Sequence, residues 1–463
     1  MRCHTVKPLA LLLAAIIGSL LCACSNSEGV DCANQVEEIA AVNEVSSDRN
    51  IPKVQETSFS SKELDYLPLD DSEYPYAGIP RIVIETENHH EVKDRETEIP
   101  AKLQIWGEKA PESEVMDLTI RGRGNTSWAM PKKSYKIEFI NKQSMLGMPK
   151  DRDWALIANY ADKTLMKNYL MYHLSAKLGA YYAPRCEFAE LYLNREYMGV
   201  YLLTETIKIS KHRINIPENN NSYVVEFDDK YRSQDQVVIS NVLTKDSVGK
   251  SFRIHAPKNI SKEDLFTIKE HIENFEKYLT KVQARKNNNI SNWLNINDFI
   301  KHYWIQELSK NPDAAAYSSL FFTWEKGKNI RMGPVWDFDL AFGNHSNQAI
   351  NTIDKWYIRN NYWHSYVFKD SIAELYRSDF WCQNRNQIVS VVETADSIYT
   401  LLHDASINNF KKWNILKSTS YIYHLYSYDS YKEAVDDLKK WILNRVYWID
   451  SEIACNAKES HTL

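Results

Sequence analysis

From Arg81 onward the chain alternates apolar and polar positions, and after about residue 260 the spacing becomes helical. Arg81-Ile-Val-Ile-Glu-Thr-Glu87, Ala101–Trp106 and Val115–Arg121 read as strands. Lys133-Ser-Tyr-Lys-Ile-Glu-Phe139 places Lys133, Tyr135, Ile137 and Phe139 on one strand face. Leu165, Met166, Tyr169, Leu170 and Leu174 predict a helix over Lys163–Leu178, stopped by Gly179. Glu187–Leu193 and Val200–Thr206 flank Asn194-Arg-Glu-Tyr-Met-Gly199 and predict a β-hairpin, and Tyr223–Phe227 is a further short strand. Lys262–Lys281 and Ile296–Ser309 are amphipathic helices, followed by strand, turn and strand over Ser319–Trp324 and Asn329–Met332. The remainder is helical, most clearly over Glu433–Ile453. Strands followed by helices predict an α+β fold of two lobes.

The 463 residues suffice to bury a core without staples. With 44% hydrophobic and 25% charged residues the chain is an ordinary globular protein, not a disordered, fibrous or polytopic membrane one. A net charge of −5 gives no pull toward nucleic acid, and a monomer is expected. The sequence holds no GxxxxGK[ST] phosphate loop. Before Arg81 the character differs. Arg2 and Lys7 precede an apolar run from Leu9 to Leu21, and Leu21-Cys22-Ala23-Cys24 resembles a bacterial lipobox. Residues 1–23 are therefore expected to be a lipoprotein leader, Cys24 the lipidated N-terminus, and 24–76 a flexible polar tether. A folded domain over 77–455 follows, with a first lobe to about residue 215 and a second from about 216. The expected location is the cell envelope, on the outer membrane or cell surface. Cys32, Cys186, Cys382 and Cys455 are widely spaced, which disfavours zinc and leaves free thiols or one bridge open. His89-His90 reads as a solvated loop, and the abundant Trp and Tyr read as core.

Asn311-Pro-Asp313 and Trp336-Asp-Phe-Asp339 carry the candidate chemistry. A helix runs into a loop bearing Asp313, and Asp337 lies at the exit of the hairpin that follows, so both acids can face one cleft. Helix, acidic loop, hairpin and acid-aromatic-acid form the order of a protein-kinase C-lobe. Such chemistry uses one carboxylate at the accepting hydroxyl and others at Mg²⁺. The bland alternative is a turn acid at Asp313 and ion-paired loop acids at Asp337 and Asp339. Arg121-Gly-Arg-Gly-Asn125 and Lys133 can approach phosphates through glycine backbone and cationic side chains; an exposed hairpin turn is the plainer reading.

Arg121-Gly-Arg-Gly-Asn-Thr-Ser-Trp128, Pro131-Lys-Lys-Ser-Tyr-Lys-Ile-Glu-Phe139, Leu146-Gly-Met-Pro149, Asp153-Trp-Ala-Leu-Ile-Ala-Asn-Tyr-Ala-Asp-Lys-Thr-Leu165, Glu190-Leu-Tyr-Leu-Asn194, Gly199-Val-Tyr-Leu-Leu-Thr-Glu205 and Pro334-Val-Trp-Asp-Phe-Asp-Leu-Ala-Phe-Gly-Asn344 occur in that order. Together they resemble the CotH kinase family of atypical protein kinases, from about residue 80 to 345. The resemblance implies a two-lobed kinase-like fold that uses ATP with Mg²⁺ or Mn²⁺ to phosphorylate Ser/Thr of protein substrates. It implies Asp313 as the catalytic-loop acid and Asp337 with Asp339 at the metal. Lys133, supported by Arg121 or Arg123, would contact the phosphates, and Glu205 would lie where a kinase passes to its hinge. Two departures stand out. The metal-binding Asn five positions after the catalytic Asp is Ser318 here, and the helix over Lys163–Leu178 offers no Glu to Lys133, leaving Asp162 or Glu205 as partner. The alternative to an active kinase is a weak or inactive relative that binds peptide, glycan or nucleotide at the cell surface.

Overall fold

Seven strands make the first sheet: β1 (Arg81–Thr86), β2 (Ile99–Trp106), β3 (Met116–Arg123), β4 (Ser134–Gln143), β5 (Asp151–Ile157), β6 (Cys186–Leu193) and β7 (Glu196–Glu205). The computed structural model describes residue 69 and residues 71–244, 248–281, 290–420, 423–453 and 455. The leader, Cys24 and the tether up to residue 68 lie outside the described residues. The strand order is β1-β2-β3-β4-β5-β7-β6, antiparallel until β1 closes the ring by running parallel to β6 from Arg81↔Glu190 to Ile84↔Leu193. Closure leaves no unpaired edge. The strict alternation in β4 explains the interior: Tyr135, Ile137 and Phe139 point inward among Leu118, Trp154 and Leu203, all buried.

A second sheet has the order β12-β11-β8-β10-β9, built from β8 (Ser222–Phe227), β9 (Val237–Ser240), β10 (Lys250–Ala256), β11 (Leu320–Glu325) and β12 (Arg331–Met332). Among the described residues the helices are α1 (Lys167–Lys177), α2 (Lys262–Thr280), α3 (Ile296–Ser309), α4 (Gln348–Asn351), α5 (Tyr362–Val367), α6 (Ser371–Val389), α7 (Val391–Lys412) and α8 (Tyr431–Glu452). Strands and helices coexist as the α+β reading expects. Aromatic side chains join sheet to helices: the Trp363 ring of α5 lies 4.9 Å from both Phe227 of β8 and Phe275 of α2. Trp154, Trp304, Trp363 and Trp381 are wholly buried, so these aromatics are core. His89 and His90 are exposed.

Several boundaries differ from the sequence reading for local reasons. The hairpin turn is Asn194-Arg195 alone, both at positive φ (50° and 68°), so β7 begins at Glu196 and not at Val200; a two-residue loop of this kind matches strand twist. Helix α1 starts at Lys167 because Leu165 sits at φ 62° and the Asp162 carboxylate captures the N–H groups of Thr164 and Lys167. Strands β5, β9 and β10 fall where no strand was read, β5 (Asp151–Ile157) overlapping the Asp153-Trp-Ala-Leu-Ile motif. Cys382 and Cys455 form the disulfide that spacing left open, and Cys186 is a buried free thiol. The bridge spans 73 residues and ties α6 to the chain beyond α8. Cys455→Ser is expected to lower stability by about 2–5 kcal/mol, read as a shift of the denaturant midpoint under oxidising conditions. An unchanged midpoint would show the clasp to be dispensable.

Two buried charges brace the helices beneath the second sheet. Glu307 of α3 accepts from the backbone N–H groups of Tyr357 (2.8 Å) and Arg359 (2.7 Å) and from Arg445 Nη2 of α8 (2.7 Å). Arg445 donates further to the carbonyls of Ile353 and Lys355. Burial pushes the Glu307 pKa up, and Arg445 opposes it. Arg445→Met is expected to destabilise by about 3–5 kcal/mol, because it leaves Glu307 buried without its counter-ion. Arg445→Met with Glu307→Gln should recover part of that loss; equal loss in both proteins would show that the ion pair is not the cause.

Candidate functional site

Helix α3 ends at Lys310, whose left-handed φ of 45° turns the chain while its N–H caps the last helical carbonyls. The Lys310 ammonium donates to the carbonyls of Thr352 (2.7 Å) and Asp354 (2.8 Å), which fixes the departure of the loop. Asn311 follows, and its Nδ2 donates to the carbonyl of Asp337 (2.9 Å). The acidic loop of Asp313 and the acid-aromatic-acid segment are thereby joined through a side chain that sequence reasoning passed over as part of a turn.

The 337–344 segment is pinned from three directions. Phe338 N–H donates to Asn168 Oδ1 (2.8 Å), and Asn168 Nδ2 donates to the Asp339 carboxylate. Lys167 Nζ donates to the Ala341 carbonyl (3.0 Å), and Phe342 N–H to the Ser309 carbonyl (2.9 Å). Asn344 Nδ2 donates to the carbonyls of Ala161 (2.8 Å) and Asp339 (3.2 Å). Asp337 is held at φ 60°, a left-handed conformation that costs energy outside glycine and persists only where the surroundings impose it.

Asp313, Asp337 and Asp339 form one electrostatic group. Burial raises all three pKa values, Asp313 to about 7 and Asp339 to about 8. After burial, Asp337 is the largest cause at both Asp313 and Asp339, since like charges disfavour a second ionisation. Arg123 and Lys230 lower the Asp337 pKa, Lys230 also lowers that of Asp313, and Glu226 raises both. Ser318 is among the groups that hold the Asp313 pKa down, and its backbone N–H donates to the Asp313 carbonyl (3.2 Å), so Ser318 serves the acid of the loop.

The cationic candidates divide. Arg123, at the end of β3, lies with its guanidinium 5.3 Å from the Trp336 ring and feels Asp337 and Asp339. Arg121 turns away: its Nη1 donates to the Arg95 carbonyl (2.7 Å) and its Nε pairs with Glu98 (3.5 Å). Lys133 precedes β4 and donates to the Trp128 carbonyl (2.7 Å), 5.3 Å from the Trp128 ring, so it pairs with neither Asp162 nor Glu205. Glu205 is buried and held by Arg185 (2.7 Å), the Arg185 N–H (3.0 Å) and Tyr182 (3.2 Å). Gly122 serves packing: a Cβ there would meet the Trp128 ring at 2.4 Å and the Asp94 carbonyl at 2.6 Å. The wholly buried lysine of this region is Lys132, bonded to Val200 O and to Asn409 Oδ1 (2.9 Å) of α7, a strut between barrel and helix.

The donor chemistry suits a hard cation. Asp337 and Asp339 offer oxygen ligands; burial and their mutual repulsion disfavour their ionised forms, and a bound cation would restore them. Among the described residues no three acidic, histidine or cysteine side chains converge to cage an ion alone. Mg²⁺ needs no such cage, since one or two carboxylates with phosphate oxygens and water suffice. A cavity of about 230 Å³ is lined by Asp162, Lys163, Lys167, His424, Tyr428 and Asp437, among others, and by none of Asp313, Asp337 and Asp339. Residues 120–449, well over half of the chain, match the family model described as CotH kinase protein. None of the curated proteins matches the chain.

Proposed function

The chain belongs to the CotH kinase family, and on that premise we propose that it is a lipid-anchored kinase that transfers phosphate from ATP to Ser/Thr of a protein substrate. The observation that carries the proposal is the convergence of Asp313, Asp337 and Asp339, with Arg123 facing the last two. In this reading the closed sheet and the helix-rich half are the two lobes. Asp337 and Asp339 would hold a divalent cation, whose charge offsets that of the phosphate oxygens. Arg123, which acts on Asp337 and Asp339, would contact those oxygens. Asp313, ionised, accepts the proton of the incoming hydroxyl, and the Ser318 hydroxyl orients that carboxylate. Export is supported by the Cys382–Cys455 bridge, which persists in oxidising compartments. No helix among the described residues is long and apolar enough to cross a membrane, in keeping with attachment through Cys24.

The test is calorimetric titration of ATP into the domain with and without Mg²⁺ or Mn²⁺, followed by phosphate transfer to protein acceptors. Metal-dependent binding with transfer is expected; absence of nucleotide binding would overturn the proposal. One observation favours a second reading, a binding module with little turnover. Position 318 carries a hydroxyl that acts on Asp313, so a cation would have only Asp337 and Asp339 as evident ligands. Nucleotide binding without transfer to any acceptor would establish that reading.

A further inference from the structure

We propose that Lys230, in the loop after β8, binds the terminal phosphate of the nucleotide, as a second cation opposite in chain origin to Arg123; the proposal rests on the kinase reading above. No sequence feature singled out Lys230. Its loop is fastened at Asp228, Asp229 and the lysine's own N–H. Lys230 N–H donates to Asp228 Oδ1 (2.8 Å), and Asp228 is paired with Arg253 Nε (2.9 Å). Asp229 N–H donates to the Tyr317 carbonyl (2.9 Å), and the Asp229 carboxylate is paired with Lys250 (2.6 Å). Lys250 in turn donates to the carbonyl of Ala316 (2.8 Å). The loop of Lys230 is therefore stitched to the 313–318 loop that carries Asp313.

The side chain completes the arrangement. Lys230 Nζ lies 4.4 Å from the centroid of the Tyr317 ring, a cation–π contact that holds it against the acidic loop. Among the described residues the ammonium has no ion-pair partner, although Asp228 and Asp229 adjoin it in sequence, because Arg253 and Lys250 already take those carboxylates. A half-buried, oriented and unpaired ammonium close enough to act on both Asp313 and Asp337 has a cost unless an anion completes it. The anion that the proposed reaction brings between those two acids is the terminal phosphate. Lys230 and Arg123 would then contact it from separate elements, the loop after β8 and the end of β3, with Lys as a point charge and Arg as a fork.

The test compares two ligands by calorimetry in the presence of Mg²⁺: ADP, which lacks the terminal phosphate, and the non-hydrolysable β,γ-imido analogue of ATP. Lys230→Gln is expected to weaken the analogue by about tenfold or more while leaving ADP within about twofold, since a lost charge-assisted contact acts only where the phosphate is present. Lys230→Arg should restore most of the affinity for the analogue. Without ligand Lys230→Gln should melt no earlier than wild type, since it removes an unpaired half-buried ammonium, so that lost affinity is not lost folding. Equal weakening of both ligands, or of neither, overturns the assignment. Unchanged nucleotide affinity with a raised KM for acidic acceptors would place Lys230 at the acceptor and also overturn it. Wild type that binds neither nucleotide defeats the kinase reading itself, an outcome distinct from a wild type that binds both and a variant that behaves identically.

Discussion

Asp337→Asn is expected to abolish metal-dependent nucleotide binding and to lower phosphate transfer by about 10³-fold or more, the scale on which a preorganised charge at a reacting phosphate acts. Asp337 lies at the centre of the acidic group: it raises the pKa values of Asp313 and Asp339, and Arg123 and Lys230 both act on it. Only Asp339 remains to hold a cation once its charge is gone. Asparagine is the preferred replacement because it accepts a φ of 60° better than alanine does, so the loop geometry survives. The acids destabilise one another, hence removing one charge should leave the melting temperature of the metal-free protein unchanged or raised. Lost binding in a protein that melts no earlier than wild type is therefore the expected pair of results. Metal-dependent affinity equal to that of wild type would show that Asp337 is structural.

Most barrel strands, though not β5, and the pair Asp313 and Asp337 were legible because both depend on local pattern. The period-two alternation of Tyr135, Ile137 and Phe139 placed the inward face of β4, and the order helix, loop, hairpin, acid picked out Asp313 and Asp337, which lie close enough to act on each other. Lys133 was not legible. It continues the alternation of β4 on paper, but the strand begins one residue later and Lys133 reaches back to the Trp128 carbonyl. Its neighbour Lys132 is buried by α7, from a segment more than two hundred residues away. Strands β9 and β10 escaped notice because their pairing is tertiary: β9 is short and pairs with β10, which in turn pairs with β8. Asn168 and Lys230 were invisible for a similar reason. Their roles arise from tertiary neighbours, Asp339 and Tyr317, and neither stands in a segment whose spacing marks it. A faint signal did exist for Asn168: with Lys167 it makes a polar pair on the buried side of an otherwise apolar helix, which calls for partners.

Asp313→Asn should separate catalysis from binding. A catalytic-loop carboxylate acts on the incoming hydroxyl and not on the nucleotide, so its loss should appear in turnover, by about 10²–10⁴-fold, and not in ground-state affinity. The environment matches that task. Burial and Asp337 lift the Asp313 pKa to about 7, while Lys230 and the Ser318 hydroxyl restrain it. The carboxylate must be ionised to accept a proton, so wild-type turnover should climb as pH rises through this region, and a cation bound at Asp337 would move the climb to lower pH. Asparagine is nearly isosteric and still accepts the Ser318 hydroxyl through its amide oxygen, which keeps the loop in place. The expected variant binds ATP with Mg²⁺ as wild type does, turns over slowly, and lacks the climb in rate that wild type shows. Ser318→Asn gives the complementary measurement: tighter metal binding would place position 318 within reach of the cation, whereas unchanged metal affinity with a slower rate would confine it to orienting Asp313. If Asp313→Asn transfers phosphate as fast as wild type, Asp313 is not the base, and the raised carboxylate of Asp339, at about 8, becomes the group to replace next.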